Sequence, residues 1–411
     1  MTATTALASI PQKSATEVRK AEGSVYDASI GYLRAFITLL VLAHHAALAY
    51  HPFAPEPGAA LNGPNRWWQA FPVVDKQRWT GFALLVGFND TFFMALMFFL
   101  SGLFVWKSLQ RKGSGHFLRD RAVRLGVPFI IAAALVAPLA YYPTYLQTGA
   151  KGMAGFWQQW GSLGNWPAGP AWFVWVLLAF DVFAAVLFLI WPNWGGTLGH
   201  LTSKADRRPI VFFGVLTAAS AVAYIPMAVV FNPFSWSSFG PFSFQTSRLL
   251  HYLAYFLLGA GVGAYSLGRG LLAPAGNLAR RWPLWAVFAL IAFGVATGVA
   301  MAAMTTHMGS RRWEIAGDAM FVLSCAASSF ALLGLFVRFA KARSRIWDSL
   351  SSSAYGMYLL HYAFVSWLQY ALLRASLPAV AKGSIVFLGT VLLSWGATAV
   401  VRRIPAVARV I

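Results

Sequence analysis

The chain contains one cysteine, Cys325, among 411 residues. An intrachain disulfide and a Cys-rich metal site are therefore both excluded. Charge is scarce as well: 11% of residues are Asp, Glu, Lys or Arg, where a soluble globular domain carries about 25%. Acidic residues are the rarest of these, 12 against 32 Lys and Arg, a formal net charge of +20. No repeat of 20–50 residues is visible, and the composition removes disorder, coiled coil, collagen and a secreted disulfide scaffold. What is abundant is apolar: 58% of residues are hydrophobic, 16% aromatic, and the mean hydropathy is +0.61. A chain of this composition cannot cover itself with a water-facing surface. It reads as an all-α, polytopic membrane bundle in contact with a lipid bilayer, and the positive charge does not imply a nucleic-acid partner.

A spanning helix needs about 20 apolar residues. Ten such stretches are present, at 30–50, 80–105, 125–142, 170–191, 209–231, 248–268, 284–304, 317–339, 354–374 and 383–401. Lys and Arg sort by side. The two tails and every second connection hold 21 of them, among them Lys107, Arg111, Lys112, Arg119, Arg121 and Arg124 in one connection. The other connections hold seven: Arg66, Lys76, Arg78, Lys151, Arg311, Arg312 and Lys382. Basic residues accumulate in cytoplasmic loops, so both termini are expected in the cytoplasm. The organisation expected is a cytoplasmic tail at 1–29, a ten-helix membrane domain at 30–401 and a second tail at 402–411. The first stretch lacks a small-residue cleavage site and reads as a retained anchor.

Charged and ionisable residues inside such stretches are functional candidates by default. In the first, Arg34 and His45 are eleven residues apart; eleven steps of 100° bring them to one helix face with a rise of ~16.5 Å. In the ninth, Tyr358 and His361 are three apart and share a face, at a depth placed between Arg34 and His45. Ser101-Gly102 closes the second stretch as a small pair that allows close backbone approach. The basic run that follows suits phosphate, for which arginine is apt. Asp90, Asp181 and Asp318 are candidate counter-ions for Arg34 or the histidines. Two outward connections are aromatic, 143–169 and the uncharged 232–247, and fit either an interfacial belt or a stacking surface for sugars, with Gln158, Gln159, Asn165 and Gln245 meeting hydroxyls.

Four ordered fragments then carry a resemblance: Tyr32-Leu-Arg34 through His45, Phe98-Phe-Leu-Ser101-Gly102, Phe117 through Arg121 and Arg124 to Pro128, and Ser353-Ala-Tyr355-Gly-Met-Tyr358-Leu-Leu-His361, with Trp172-Phe-Val-Trp175 as a further aromatic stretch. Together they resemble the integral-membrane acyltransferase family three, bacterial enzymes that modify glycans, the glucan-succinylating type included. The resemblance implies a multi-pass protein of the bacterial inner membrane. It implies a cytoplasmic acyl-CoA (acetyl-CoA or succinyl-CoA) as co-substrate, no permanently bound cofactor or metal, and O-acylation of a glycan or glycolipid at the outer side. On that reading His45, Arg34 and His361 are catalytic, with His45 as general base. Arg119, Arg121, Arg124, Ser101, Tyr358 and Trp172 bind the donor or shape its site, Ser101 by packing rather than as a nucleophile. The competing expectations are a proton-coupled transporter or flippase of a glycan or lipid, and a scaffold without chemistry.

Overall fold

The computed structural model describes residues 15–58, 67–203, 205, 208–305 and 311–410, the side chains of 15–27, 67, 68, 304 and 305 excepted. Lys13, Arg66, Lys204 and Arg207, all counted in the charge bias, lie outside the described residues or their side chains, as do Arg19 and Lys20. Among the described residues, ten long helices form: α1 Ala15–Leu48, α2 Gly81–Gly102, α3 Val105–Gln147, α4 Trp172–Ile190, α5 Pro209–Phe231, α6 Leu249–Tyr265, α7 Trp282–Thr305, α8 Arg311–Phe339, α9 Arg345–Ala371 and α10 Ala379–Val401. Each coincides with one apolar stretch of the sequence, and the fold is an all-α polytopic bundle. α1 runs back to Ala15, inside the segment assigned to a tail.

Eight of these helices are long and apolar enough to cross a membrane, and the bent pair Thr246–Tyr265 and Gly270–Arg280 makes up to nine. α9 stays outside that count because it is studded with Ser351, Ser353, Tyr355, Tyr358, His361, Ser366 and Gln369. At 27 residues its length, roughly 40 Å, suffices to span. α9 can be polar because it is covered, packing against α1, α3 and α10.

α3 is the most irregular element. It breaks at Gly113, whose φ of 71° and ψ of 166° lie outside the helical region. It then passes through two π-helical turns, Ala122–Gly126 and Ala132–Val136, on either side of Pro128. Proline lacks the N–H that would satisfy the carbonyl one turn back, and side chains replace it. Tyr355 Oη donates to Arg124 O at 2.8 Å, four residues before Pro128, and Trp367 Nε1 donates to Leu139 O at 3.0 Å, four before Pro143. Trp166 Nε1 donates to Ala133 O at 2.8 Å, five before Pro138, the spacing a π turn requires. Two of the three donors sit on α9, so the prolines tie α3 to the helix that carries Tyr358 and His361.

α2 and α6 cross with their backbones nearly touching. A Cβ on Gly102 would meet Phe256 O, one on Gly259 would meet Phe99 O, and one on Gly263 would meet Leu103 O. The Ser101-Gly102 pair therefore packs as small residues do in membrane helices. At the end away from the basic connections, Lys382 Nζ and Asp75 Oδ2 form a buried pair at 2.7 Å. Lys382, counted as an outer-loop charge, thus lies inside α10. Residues 232–247 form an antiparallel hairpin, β1 Trp236–Phe239 and β2 Phe242–Gln245.

Candidate functional site

A cavity of about 600 Å³ opens among α1 at Arg34 and Thr38, the end of α2, the basic first half of α3, α4 at Phe173 and Leu177, α9 from Ala354 to Tyr358, and Val410. The charge bias puts the basic connection that lines it on one side. Its walls carry six Lys and Arg side chains, Arg34, Lys107, Arg111, Lys112, Arg121 and Arg124, against one acid, Asp120. The Gly113 break makes this possible. It folds the basic run back on itself, so that Lys107 to Lys112 and Asp120 to Arg124 face one space. Lys112 pairs with Asp120 across the break.

Arg121 is held from behind. Its Nε lies 3.3 Å from Oδ2 of Asp181 on α4, a buried carboxylate, and its guanidinium sits 5.1 Å from the Phe117 ring centroid. Arg124 is exposed on the wall, and its carbonyl is the one that takes the Tyr355 hydroxyl. Arg34 projects into the cavity and, among the described residues, joins no ion pair. Thr38, one turn on, lines the same wall. The carboxylates expected as counter-ions for Arg34 or the histidines are engaged elsewhere: Asp90 with Arg248 at 2.7 Å, Asp181 with Arg121, and Asp318 with the Tyr224 hydroxyl. A guanidinium without a carboxylate in a wet cavity is free to meet an anionic or carbonyl ligand.

The histidines lie beyond this cavity. His45 and His361 stand side by side, Nδ1 of His45 at 3.3 Å from Nε2 of His361 and ring centroids 5.0 Å apart. His361 is therefore level with His45, not between it and Arg34. Two carbonyls fix the tautomers. His361 Nδ1 is 2.6 Å from Tyr358 O and His45 Nδ1 is 2.9 Å from Val41 O; a carbonyl accepts, so both Nδ1 atoms carry the proton. His361 Nε2 is then bare, and the one His45 Nδ1–H is shared, with Val41 O as the nearer acceptor at 2.9 Å and His361 Nε2 as the farther at 3.3 Å. By the same assignment His45 Nε2 keeps its lone pair. Gln369 holds the base from the other side, donating to the carbonyls of His45 at 2.9 Å and Ala46 at 3.3 Å. These belong to the last turn of α1, whose carbonyls have no partner within the helix.

Tyr358 belongs to both regions. Its ring lines the cavity and packs on His361 and Phe173, each with centroids 5.8 Å apart, while its carbonyl orients His361. Its hydroxyl donates to Pro170 O, so it stands as the partition between cations and imidazoles. Ser101 lines the cavity with its hydroxyl donated to Met97 O at 2.8 Å.

Of the residues picked out from the sequence, Arg34, Ser101, Arg121, Arg124 and Tyr358 thus share one cavity, and His45 and His361 form a pair. Arg119 is exposed and outside the lining. Trp172 is also outside it; its ring stacks on Tyr252 with centroids 5.9 Å apart and meets Trp236 edge-on at 5.5 Å. The aromatic connection 143–169 turns inward, with Phe156 and Trp160 buried against Tyr141 and Tyr145. Gln245 donates to Pro233 O at 2.8 Å. Sequence reasoning placed Lys107, Arg111 and Lys112 in a basic run suited to phosphate without naming them among the donor residues, and it gave no role to Thr38, Tyr355 or Gln369. The four-residue spacing of Lys107 and Arg111 just before Gly113 is the signal that could have found the first two.

Searches of curated proteins and of solved structures find no match to the chain. A family model does: the acyltransferase domain of acyltransferase family three matches residues 27–399, from α1 to the end of α10. The chain belongs to that family and is a membrane acyltransferase.

Proposed function

We propose that the protein moves an acetyl or succinyl group from cytoplasmic acyl-CoA to a hydroxyl of a glycan or glycolipid at the outer side of the bacterial inner membrane. The observation that carries this reading is the cation-lined cavity ending at Tyr358, one turn of α9 from a histidine pair with a free imidazole nitrogen. The six cations fit the phosphates of coenzyme A, with Arg121 and Arg124 as the principal pair and Arg34 receiving the donor deeper in the cavity. The pantetheine arm then runs along Thr38 toward the partition, and the Tyr358 hydroxyl leaves Pro170 O to admit the thioester. The co-substrate is used and released, and no step calls for a resident cofactor.

His45 Nε2 takes the proton of the acceptor hydroxyl as its oxygen attacks the thioester carbonyl. The C–S bond breaks, and the coenzyme A thiolate recovers that proton from His45, so the imidazole ends neutral. His361 accepts the His45 N–H throughout and spreads the positive charge that appears on the base. Histidine suits the role because it changes charge near neutral pH. The reaction needs no nucleophilic serine, consistent with the engaged Ser101 hydroxyl. A transporter reading finds no specific support.

The test is direct: purified protein in lipid nanodiscs, given radiolabelled acetyl-CoA or succinyl-CoA and a glycan acceptor, is expected to release coenzyme A and label the glycan. Label appearing in neither acceptor nor water with both donors would overturn the donor assignment.

A further inference from the structure

Arg402, Arg403 and Arg409 follow α10 and have no part in the site described so far, yet the segment that carries them reaches the cation-lined cavity. α10 closes at Val401, and the chain turns through Arg403 and Ile404, whose amides bond to Val400 O at 3.0 Å and Val401 O at 3.1 Å. One helical turn follows, Pro405–Ala408, opened by a proline where a missing N–H is harmless. Val410 N then bonds to Val407 O at 2.9 Å. Val407 and Val410 are half-buried, while 403–406, 408 and 409 are exposed. The segment therefore lies with one apolar edge against the bundle, and Val410 forms part of the cavity wall.

The root of the segment is fixed beside the same cavity. Arg402 Nη1 donates to Ser352 O at 2.9 Å. Ser352 stands three residues before Tyr355, a cavity residue on the same face of α9. Beyond this anchor, among the described residues, the backbone bonds of 405–410 stay inside the segment.

Charge indicates what the segment is for. The cavity walls carry six Lys and Arg against Asp120. Arg409, next to the wall residue Val410, is exposed and, among the described residues, joins no ion pair. Like charges repel, so a further cation beside six others is unfavourable while the cavity is empty. An anion carrying several phosphates reverses the sign of that interaction, and a guanidinium can meet phosphate with two parallel hydrogen bonds.

We infer that residues 402–410 form a strap across the donor site, with Arg409 as a further phosphate ligand and Val410 as an apolar cover at the cavity wall. Arg402 is the anchor of the strap, committed to Ser352 O. The inference deepens the coenzyme A reading of this cavity and rests on it.

The experiment is calorimetric titration of the full-length protein in nanodiscs with coenzyme A. Arg409→Ala is expected to weaken binding about fivefold to tenfold, and Val410→Asp, which sets a carboxylate into the wall, about tenfold. Arg345→Ala removes another exposed arginine, at the start of α9 and outside the lining; it is expected to leave the affinity unchanged, which separates a strap contact from a general loss of positive charge. Thermal melts of all three variants are expected to match the wild type. Unchanged or tighter binding in Arg409→Ala or in Val410→Asp, or an equal loss in Arg345→Ala and Arg409→Ala, overturns the strap while wild-type binding still upholds the donor reading. A wild-type protein that does not bind coenzyme A overturns both.

Discussion

Nδ1 of His45 points at Nε2 of His361 across 3.3 Å, and each ring is fixed by a carbonyl of its own helix, Val41 O and Tyr358 O. The arrangement aligns one imidazole behind another. His361→Ala is expected to lower kcat by roughly 10- to 100-fold, part of the 10²–10⁴ that general-base catalysis contributes, with the KM for acyl-CoA unchanged. His361→Gln, whose amide oxygen can accept from His45, is expected to recover part of the loss. Steady-state kinetics on both variants check this.

The cations of the cavity predict how the donor binds. Arg124→Ala is expected to weaken coenzyme A about tenfold, or about 1.4 kcal/mol, and to reduce the salt dependence of binding. Arg121→Ala is expected to do the same and also to lower the melting temperature, because it leaves the buried Asp181 carboxylate unpaired. Arg121→Ala combined with Asp181→Asn is expected to regain stability without regaining donor affinity. Calorimetry and thermal melts separate the two effects.

Tyr355 and Trp367 answer prolines, and a double-mutant cycle reads this out. Tyr355→Phe is expected to cost about 1–3 kcal/mol by stranding the Arg124 carbonyl. In a Pro128→Ala background, where a backbone N–H returns, the same change is expected to cost less. Additive losses would mean that the phenol does not stand in for the missing donor.

Lys382 and Asp75 are both buried, and their pair joins the loop after α1 to the start of α10. Lys382→Met is expected to destabilise the protein by about 3–5 kcal/mol, since it leaves a buried carboxylate alone. Lys382→Met with Asp75→Leu is expected to recover most of that. Denaturation of the variants in matched detergent measures it.

Ten apolar stretches were legible because lipid demands continuous helices of fixed length, and each became a helix. Legible too was the clustering of Arg34, Ser101, Arg121, Arg124 and Tyr358, since helix spacing and the side bias put them at one end. Three things were not. The level of His361 depends on where α9 starts, and Arg345 lies nine residues before the apolar core that marks it. The partners of Asp90 and Asp181 depend on which helices become neighbours, and no local pattern encodes that. The position of Trp172, away from the cavity, follows from its stacking on Tyr252 of α6, a contact between residues 80 apart in sequence.

The central claim is that His45 Nε2 removes the acceptor proton. Purified His45→Ala protein, shown by calorimetry to bind coenzyme A as tightly as the wild type, is expected to transfer label from acyl-CoA to glycan at least 100-fold more slowly. Wild-type turnover by that folded variant would contradict the account.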